Sequence, residues 1–183
     1  RLREIATSLI KVYREFDLHR DGDESYLWTL FAQKLGDLGE YEIAKYLAEK
    51  AIKRRPEYRD AWMIKGLSEL KLGATDQAEI SYLSAYQLDP GNSLVQYFLG
   101  SIYRQLKKYD LSNRYLLYAK ENTKSFLPEI LELLAENAVD TEAFPLAAFY
   151  YERLAETDPQ QILPLKKLVY LHAEKLAHSE KAL

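Results

Sequence analysis

The chain has 183 residues, no cysteine and a formal net charge of -3 at pH 7. A chain of this length buries roughly 70% of its unfolded surface on folding, so a hydrophobic core needs neither disulfides nor metals. The absence of cysteine excludes a disulfide framework and any thiolate metal site. Because 25 basic residues stand against 28 acidic ones, a phosphate-tracking groove and a nucleic-acid partner are not expected.

Membrane and targeting signals are also missing from the sequence. No apolar run approaches the ~20 residues that cross a bilayer, so direct membrane insertion is not expected. Nothing near Arg1 resembles a signal peptide, although a first residue other than Met suggests that the true start lies further upstream. The compartment therefore stays open, with the cytoplasm favoured.

Residues 1–24 are predicted to form an amphipathic helix followed by a linker. The apolar side chains on one face of that helix are Leu2, Ile5, Leu9, Val12 and Phe16. Such a face must cover apolar surface, and the expected role is to cap the end of a repeat array. The alternatives are the end of a longer upstream element and a dimerisation helix.

The stretch DLHRDGDESYLW, residues 17–28, has part of the spacing of a calcium-binding loop. It lacks two required ligands, because His19 occupies the third place and Trp28 the twelfth, where a bidentate glutamate is needed. We therefore predict a polar linker here, with a helix beginning at Ser25. No metal site is predicted.

Catalytic and cofactor signals are equally weak. The three histidines, His19, His172 and His178, are far apart, and the sequence contains no Ser/His/Asp or glycine-rich phosphate motif. The sequence therefore predicts no catalytic residue, no cofactor and no enzyme activity.

An internal repeat is the strongest signal in the chain. A shift of 34 residues superimposes tryptophan, glycine, alanine and proline on their own kind: Trp28 on Trp62, Gly39 on Gly73, Ala44 on Ala78, Ala51 on Ala85, and Pro56 on Pro90. A shift of 35 then places Tyr109 on Phe144 and Tyr115 on Tyr150. We therefore expect one extra residue in the loop between Asn122 and Pro128.

Each repeat divides into two helical stretches joined by a short connection, which predicts antiparallel helix pairs. Gly66 and Gly100 lie inside the first stretches, where glycine costs a helix about 1 kcal/mol relative to alanine. We expect them to let a second backbone come close. The alanines at seven-residue spacing in the second stretches are predicted to face the first helices; they are Ala44, Ala51, Ala78 and Ala85.

These spacings resemble the tetratricopeptide repeat. In the first unit the matching residues are Trp28, Phe31, Ala32, Leu35, Gly39, Tyr41, Ala44, Ala48, Ala51 and Pro56. In the third unit Ser112 replaces an alanine, and the fourth unit lacks the glycine. Pentatricopeptide and other helical-hairpin repeats are the near alternatives.

The resemblance implies an all-α fold, a right-handed α-solenoid (superhelix) of antiparallel helix pairs. After the capping segment 1–24, the predicted repeats cover residues 25–58, 59–92, 93–127, 128–161 and, in part, 162–183.

The resemblance also implies a binding surface, because the first helix of each pair lines the concave face in this family. The candidate partner-binding residues are Tyr26, Thr29, Gln33, Met63, Leu67, Leu70, Tyr97, Ser101, Arg104, Glu129, Glu132 and Glu136. Met63, Leu67, Leu70 and Tyr97 would form an apolar centre flanked by a row of carboxylates. The alternative is that the apolar residues pack against neighbouring helices and the glutamates form a solvated face.

One subgroup of the family holds the C-terminal carboxylate of heat-shock chaperones with Lys, Asn, Asn, Lys and Arg. The corresponding residues here are Thr29, Gln33, Ile64, Leu94 and Phe98. No cation stands where the carboxylate would bind, so this mode of binding is not expected. An extended peptide or amphipathic helix with apolar side chains and a basic end fits the candidate residues better.

The predicted function is that of a protein-binding scaffold or adaptor. One alternative is a regulatory or recruiting region of a larger enzyme or of a secretion or assembly machine. The other is a self-associating module that forms a homo-oligomer.

Overall fold

The computed structural model describes residues 24–157 and 162–171, together with Lys11, Tyr13 and Ala173. Every regular element in these residues is helical. The helices are α1 (Glu24–Asp37), α2 (Tyr41–Arg54), α3 (Arg59–Lys71), α4 (Thr75–Leu88), α5 (Ser93–Gln105), α6 (Tyr109–Asn122), α7 (Leu127–Asp140), α8 (Phe144–Thr157) and α9 (Ile162–Tyr170). None of the described helices is long and apolar enough to span a bilayer.

Most of the predicted N-terminal cap lies outside the described residues. Lys11 and Tyr13 are helical and exposed. Residues 17–23 of the stretch that resembles a calcium loop also lie outside the described residues. The same holds for all three histidines. The capping role therefore stays a prediction.

The chain divides into two compact units, Arg1–Val95 and Gln96–Leu183. In the first unit α1 packs against α2, α3 against α4, and α2 against α3. In the second unit α7 packs against α8, and this pair is flanked by α6 on one side and α9 on the other. The second helices of the pairs begin at Tyr41, Thr75, Tyr109 and Phe144. These starting residues are 34, 34 and 35 positions apart, which are the shifts that align the sequence with itself. The repeat boundaries beyond these helix ends stay predictions.

The turn between the two helices of each pair contains one residue in the left-handed region of backbone conformation, where φ is positive. Gly39 and Gly73 have φ of 81° and 80°, and Lys107 and Glu142 take the same place in the third and fourth pairs with φ of 56° and 58°. Glycine adopts this conformation without steric cost, whereas other residues lose roughly 1–2 kcal/mol. The third and fourth pairs therefore keep the turn geometry although neither has a glycine at this position.

The glycines in the first helices make room for a side chain of the second helix. A Cβ placed on Gly66 would lie 2.7 Å from Cε2 of Tyr82, and one on Gly100 would lie 2.6 Å from Cγ of Leu116. The expected close approach is therefore present, but the nearest atoms belong to side chains. The backbone comes near only at Gly100, where the carbonyl oxygen of Ser112 would be 3.3 Å away.

The second helices of both units bury alanines together with a few large side chains. The alanines predicted to face the first helices, Ala44, Ala51, Ala78 and Ala85, have no exposed surface. In the second unit the core contains larger side chains, among them Leu116, Ile130, Leu134, Tyr151 and Leu154. Packing of these faces leaves the opposite side of each first helix available as surface.

Gly100→Ala tests the importance of the close helix contact. The added methyl group overlaps Leu116, so we expect the free energy of unfolding to fall by about 1–3 kcal/mol. Urea denaturation followed by circular dichroism measures the change. Gly36→Ala is the matched control, because its Cβ would lie 3.9 Å from that of Ala44, an ordinary contact. There alanine should leave stability unchanged or raise it by up to about 1 kcal/mol; equal stabilities of the two variants would contradict the prediction.

Candidate partner-binding surface

The candidate residues of the first unit differ in their exposure. On α1, Tyr26 and Gln33 are exposed, but Thr29 is only 4% exposed. Its hydroxyl group donates a hydrogen bond to the carbonyl oxygen of Ser25, 2.7 Å away. A helix residue that bonds back to its own turn has little left for a ligand, so Thr29 contributes to α1 itself.

Met63, Leu67 and Leu70 lie on α3 at positions i, i+4 and i+7, and all three side chains are partly exposed. The spacing places them on one face of the helix. They therefore form an apolar stripe that is neither fully packed nor fully solvated.

Tyr97, the fourth member of the predicted apolar centre, belongs to the second unit. Its ring centroid lies 5.3 Å from that of Phe98 and 5.3 Å from that of Phe126. Burial raises the pKa of its hydroxyl group, and the negative charges of Glu129 and Glu132 raise it further. Tyr97 therefore lies beside the beginning of the carboxylate row on α7.

Arg104 pairs with the end of that row. Its guanidinium group lies 2.6 Å from a carboxylate oxygen of Asp140 and 3.1 Å from one of Glu136. It also donates a hydrogen bond of 3.1 Å to Oδ1 of Asn137. Three acceptors on α7 thus hold one cation of α5.

Lys167 approaches the same row from α9. Its ammonium group lies 3.1 Å from Glu132 and 3.4 Å from Glu136. It also lies 5.2 Å from the ring centroid of Tyr151. Burial lowers the pKa of Lys167, but the hydrogen bond to Glu132 and the neighbouring negative charges outweigh it, so the pKa is raised overall. The predicted carboxylate row is therefore paired with cations of the chain along most of its length.

A pocket of about 380 Å³ opens beside Arg104. Its lining residues are Ser101, Arg104, Gln105, Lys107, Tyr109, Leu133 and Asp140. Two of the predicted site residues, Ser101 and Arg104, line it. The lining combines two cations, one carboxylate, three polar side chains and one aliphatic side chain.

A buried polar network below this surface was missed at the level of sequence. Asn137 is fully buried, and its amide donates hydrogen bonds of 2.8 Å to Ser112 and to Asn113. Ser112 in turn donates to the carbonyl oxygen of Gly100 at 2.8 Å. The signal was available, because a serine stands at Ser112 where the repeat has alanine. It indicates a polar partner in the neighbouring pair.

A second buried cluster lies inside the first unit. Lys65 donates hydrogen bonds to Glu69 and to Ser81, and the Ser81 hydroxyl donates to Glu69 at 2.6 Å. A serine beside a lysine can act as a nucleophile when a substrate can reach it. Here Ser81 has no exposed surface and the Glu69 side chain is only 3% exposed, so the cluster joins α3 to α4 and is not a reaction site.

No group of three or more residues that could hold a metal ion occurs among the residues described by the structure.

Comparison with known proteins places this geometry in a family. A model of the tetratricopeptide repeat matches residues 29–93. Residues 29–93 carry tetratricopeptide repeats. Its fold class, an α-solenoid of antiparallel helix pairs, agrees with the prediction. Tetratricopeptide-repeat proteins are typically non-enzymatic scaffolds for protein–protein interaction, and this general role fits the chain.

The curated relatives include anaphase-promoting complex subunit 3 of Schizosaccharomyces pombe, which is 32% identical over 107 residues. That match covers 58% of the chain but only 16% of the relative. This chain therefore spans a small part of that relative's length.

Several solved structures share the fold at low sequence identity. MamA from Desulfovibrio magneticus has a TM-score of 0.77 and 18% identity, with 88% of this chain and 90% of the other covered. PilF from Pseudomonas aeruginosa has a TM-score of 0.74 and 18% identity, with 86% and 71% covered. YrrB, described as a tetratricopeptide-repeat protein with an unusual peptide-binding site, has a TM-score of 0.74 and 18% identity, with 88% and 82% covered.

Lys65→Met is expected to destabilise the first unit strongly. It leaves the buried Glu69 carboxylate without its cation, and the loss of one partner of a buried pair costs about 3–5 kcal/mol. Adding Glu69→Leu should restore most of the lost stability, because the charge that needs a partner is then gone. Urea denaturation of the wild type and the two variants measures both steps. A double variant no more stable than Lys65→Met would contradict this assignment.

Asn137→Ala is expected to lower the free energy of unfolding by about 1–3 kcal/mol, because partners of a buried amide lose their hydrogen bonds. Asn122→Ala is the matched control: its amide bonds only to the Tyr118 carbonyl oxygen at an exposed position. That change should cost about 0.5 kcal/mol or less. Equal losses in thermal and urea denaturation would show that the buried network contributes nothing specific.

Proposed function

We propose that the chain is a scaffold that binds a segment of a partner protein along the first helices of its pairs. The observation that carries the proposal is the apolar stripe of Met63, Leu67 and Leu70 on α3, which stays partly exposed in a chain with a large buried core. A row at i, i+4 and i+7 suits the side chains of a peptide or helix laid across it. YrrB, which has the same fold and is described as having an unusual peptide-binding site, supports this mode of binding.

Charge indicates what kind of segment would bind. Glu129, Glu132, Glu136 and Asp140 carry four negative charges on α7, and Arg104 and Lys167 supply two positive charges beside them. The row on α7 thus keeps an excess of negative charge. Apolar side chains of a partner complement the stripe on α3, and basic side chains complement the row on α7.

A chaperone-type carboxylate clamp does not fit these residues. Of the five corresponding positions, Thr29 is buried and none carries a positive charge. A C-terminal carboxylate would therefore gain no charge-assisted hydrogen bond there.

A second candidate is a recruiting region of a larger assembly. It is favoured by the match to anaphase-promoting complex subunit 3, of which the chain covers 16%. Both candidates use the same surface. They differ in whether the partner is a separate protein or a neighbouring subunit.

Leu67→Glu tests the proposed surface. A buried apolar contact of the partner is replaced by a charge that must be desolvated, so we expect partner capture to fall at least tenfold. Crosslinking and pull-down from an extract, with identification of the bound peptides, measure the loss. Light scattering of the purified chain separates partner capture from self-association.

Ile80→Glu is the matched control, because it makes the same chemical change on α4 at a side chain that is 64% exposed. Capture should be unchanged in this variant, and both variants should keep the helicity and melting temperature of the wild type. Undiminished capture by Leu67→Glu would refute the site.

A further inference from the structure

The carboxylates along α7 differ in how far the chain itself neutralises them. Glu136 pairs with Arg104 at 3.1 Å and with Lys167 at 3.4 Å. Glu132 pairs with Lys167 alone, and Asp140 with Arg104 alone. Glu129 is exposed and has no ion-pair partner within the described part of the chain. Negative charge is therefore least available at Glu136, which has two cationic partners, and most available at Glu129, which has none.

The two ends of this surface also differ in their neighbours. At the Glu129 end lies the half-buried ring of Tyr97, packed against Phe126. At the other end Arg104 lines a pocket together with Lys107 and with Asp140, to which Arg104 is already paired. A cation is attracted by carboxylates and by the face of an aromatic ring, whereas two cations repel a third.

We infer that the basic side chain of a bound segment lies beside Glu129 and Tyr97, and that Arg104 and Lys167 exclude it from the rest of the row. The inference rests on the proposed function and specifies it. Arg104 and Lys167 act as specificity determinants, because they occupy the carboxylates that a partner's cation would otherwise reach. The segment then binds in one register, with its basic end at the beginning of α7 and its neutral or acidic end near the pocket at Arg104.

The partial burial of these in-chain pairs supports their competitive role. The side chains of Arg104 and Glu136 are 22% and 31% exposed, and that of Lys167 is 30% exposed. Pairs of this kind are screened less by salt than fully exposed ones. A partner's lysine would have to displace Lys167 at Glu132, and both Lys167 and Arg104 at Glu136, whereas at Glu129 it displaces only water.

The test uses two synthetic peptides with leucines at helical spacing. One carries two lysines at one end, and the other carries glutamines in their place. Fluorescence anisotropy with the full chain measures both affinities. We expect the lysine peptide to bind more tightly, and Glu129→Lys to weaken it about tenfold, because an exposed attraction is lost and a repulsion of similar size is added. Glu152→Lys on α8 makes the same change of charge outside the row and should alter the affinity less than twofold.

Lys167→Met provides the converse test. It frees Glu132 and leaves Glu136 paired with Arg104 alone, so the lysine peptide should bind the variant about threefold more tightly than the wild type. Arg153→Met on α8 is its control, since Arg153 pairs with Glu156 at 3.0 Å and with no residue of the row. Circular dichroism checks that each variant keeps the wild-type fold.

The outcomes separate this inference from the function on which it rests. If neither peptide binds the wild type, the proposed function is overturned, and the inference with it. If both peptides bind equally well, or if Glu129→Lys and Glu152→Lys weaken binding equally, only the register is overturned. Unchanged affinity in Lys167→Met overturns the competitive role of that lysine.

Discussion

The close contact between the two helices of each pair is the constraint on which the rest of this structure depends. Gly66 lies under the ring of Tyr82, and Gly100 lies under the side chain of Leu116. A residue without a side chain on one helix accepts a large side chain from the other, so the pairs α3–α4 and α5–α6 are fixed in register. A glycine in a helix interior costs about 1 kcal/mol, which the packing of the large side chain offsets.

Fixing the pairs determines which faces remain at the surface. The second helices are held by their buried alanines and aromatic residues, and the first helices keep one face free. On α3 that face is apolar, and on α7 it is acidic. The same contact that stabilises the fold therefore selects the residues that a partner can reach, which is why a repeat protein of this kind binds without a closed cavity.

Buried polar groups favour one arrangement of the helices over others. The cluster of Lys65, Glu69 and Ser81 joins α3 to α4, and Asn137 joins α7 to α6 through Ser112. Buried groups of this kind add little net stability, but they penalise any arrangement that leaves them unpaired. Arg104 extends the second network to the surface. A contact of the fold and a proposed determinant of binding thus share one side chain.

The sequence by itself determined the helix pairs, their spacing and the family. These features depend on periodicity and on small residues at repeated positions, which can be recognised without coordinates. It also identified the helices that carry the candidate surface. The buried alanines at Ala44 and Ala78 were predicted for the same reason, because burial repeats with the helix period.

Only the tertiary structure decided which candidate side chains are available. Thr29 is buried, although its position in the repeat predicted a surface role. Glu132 and Glu136 meet Lys167 from a helix more than 30 residues away in the chain, and Glu129 does not. A periodic sequence pattern predicts which face of a helix a residue occupies. Whether its charge is already neutralised depends on side chains that the fold brings in from other helices, and no local pattern records those distances.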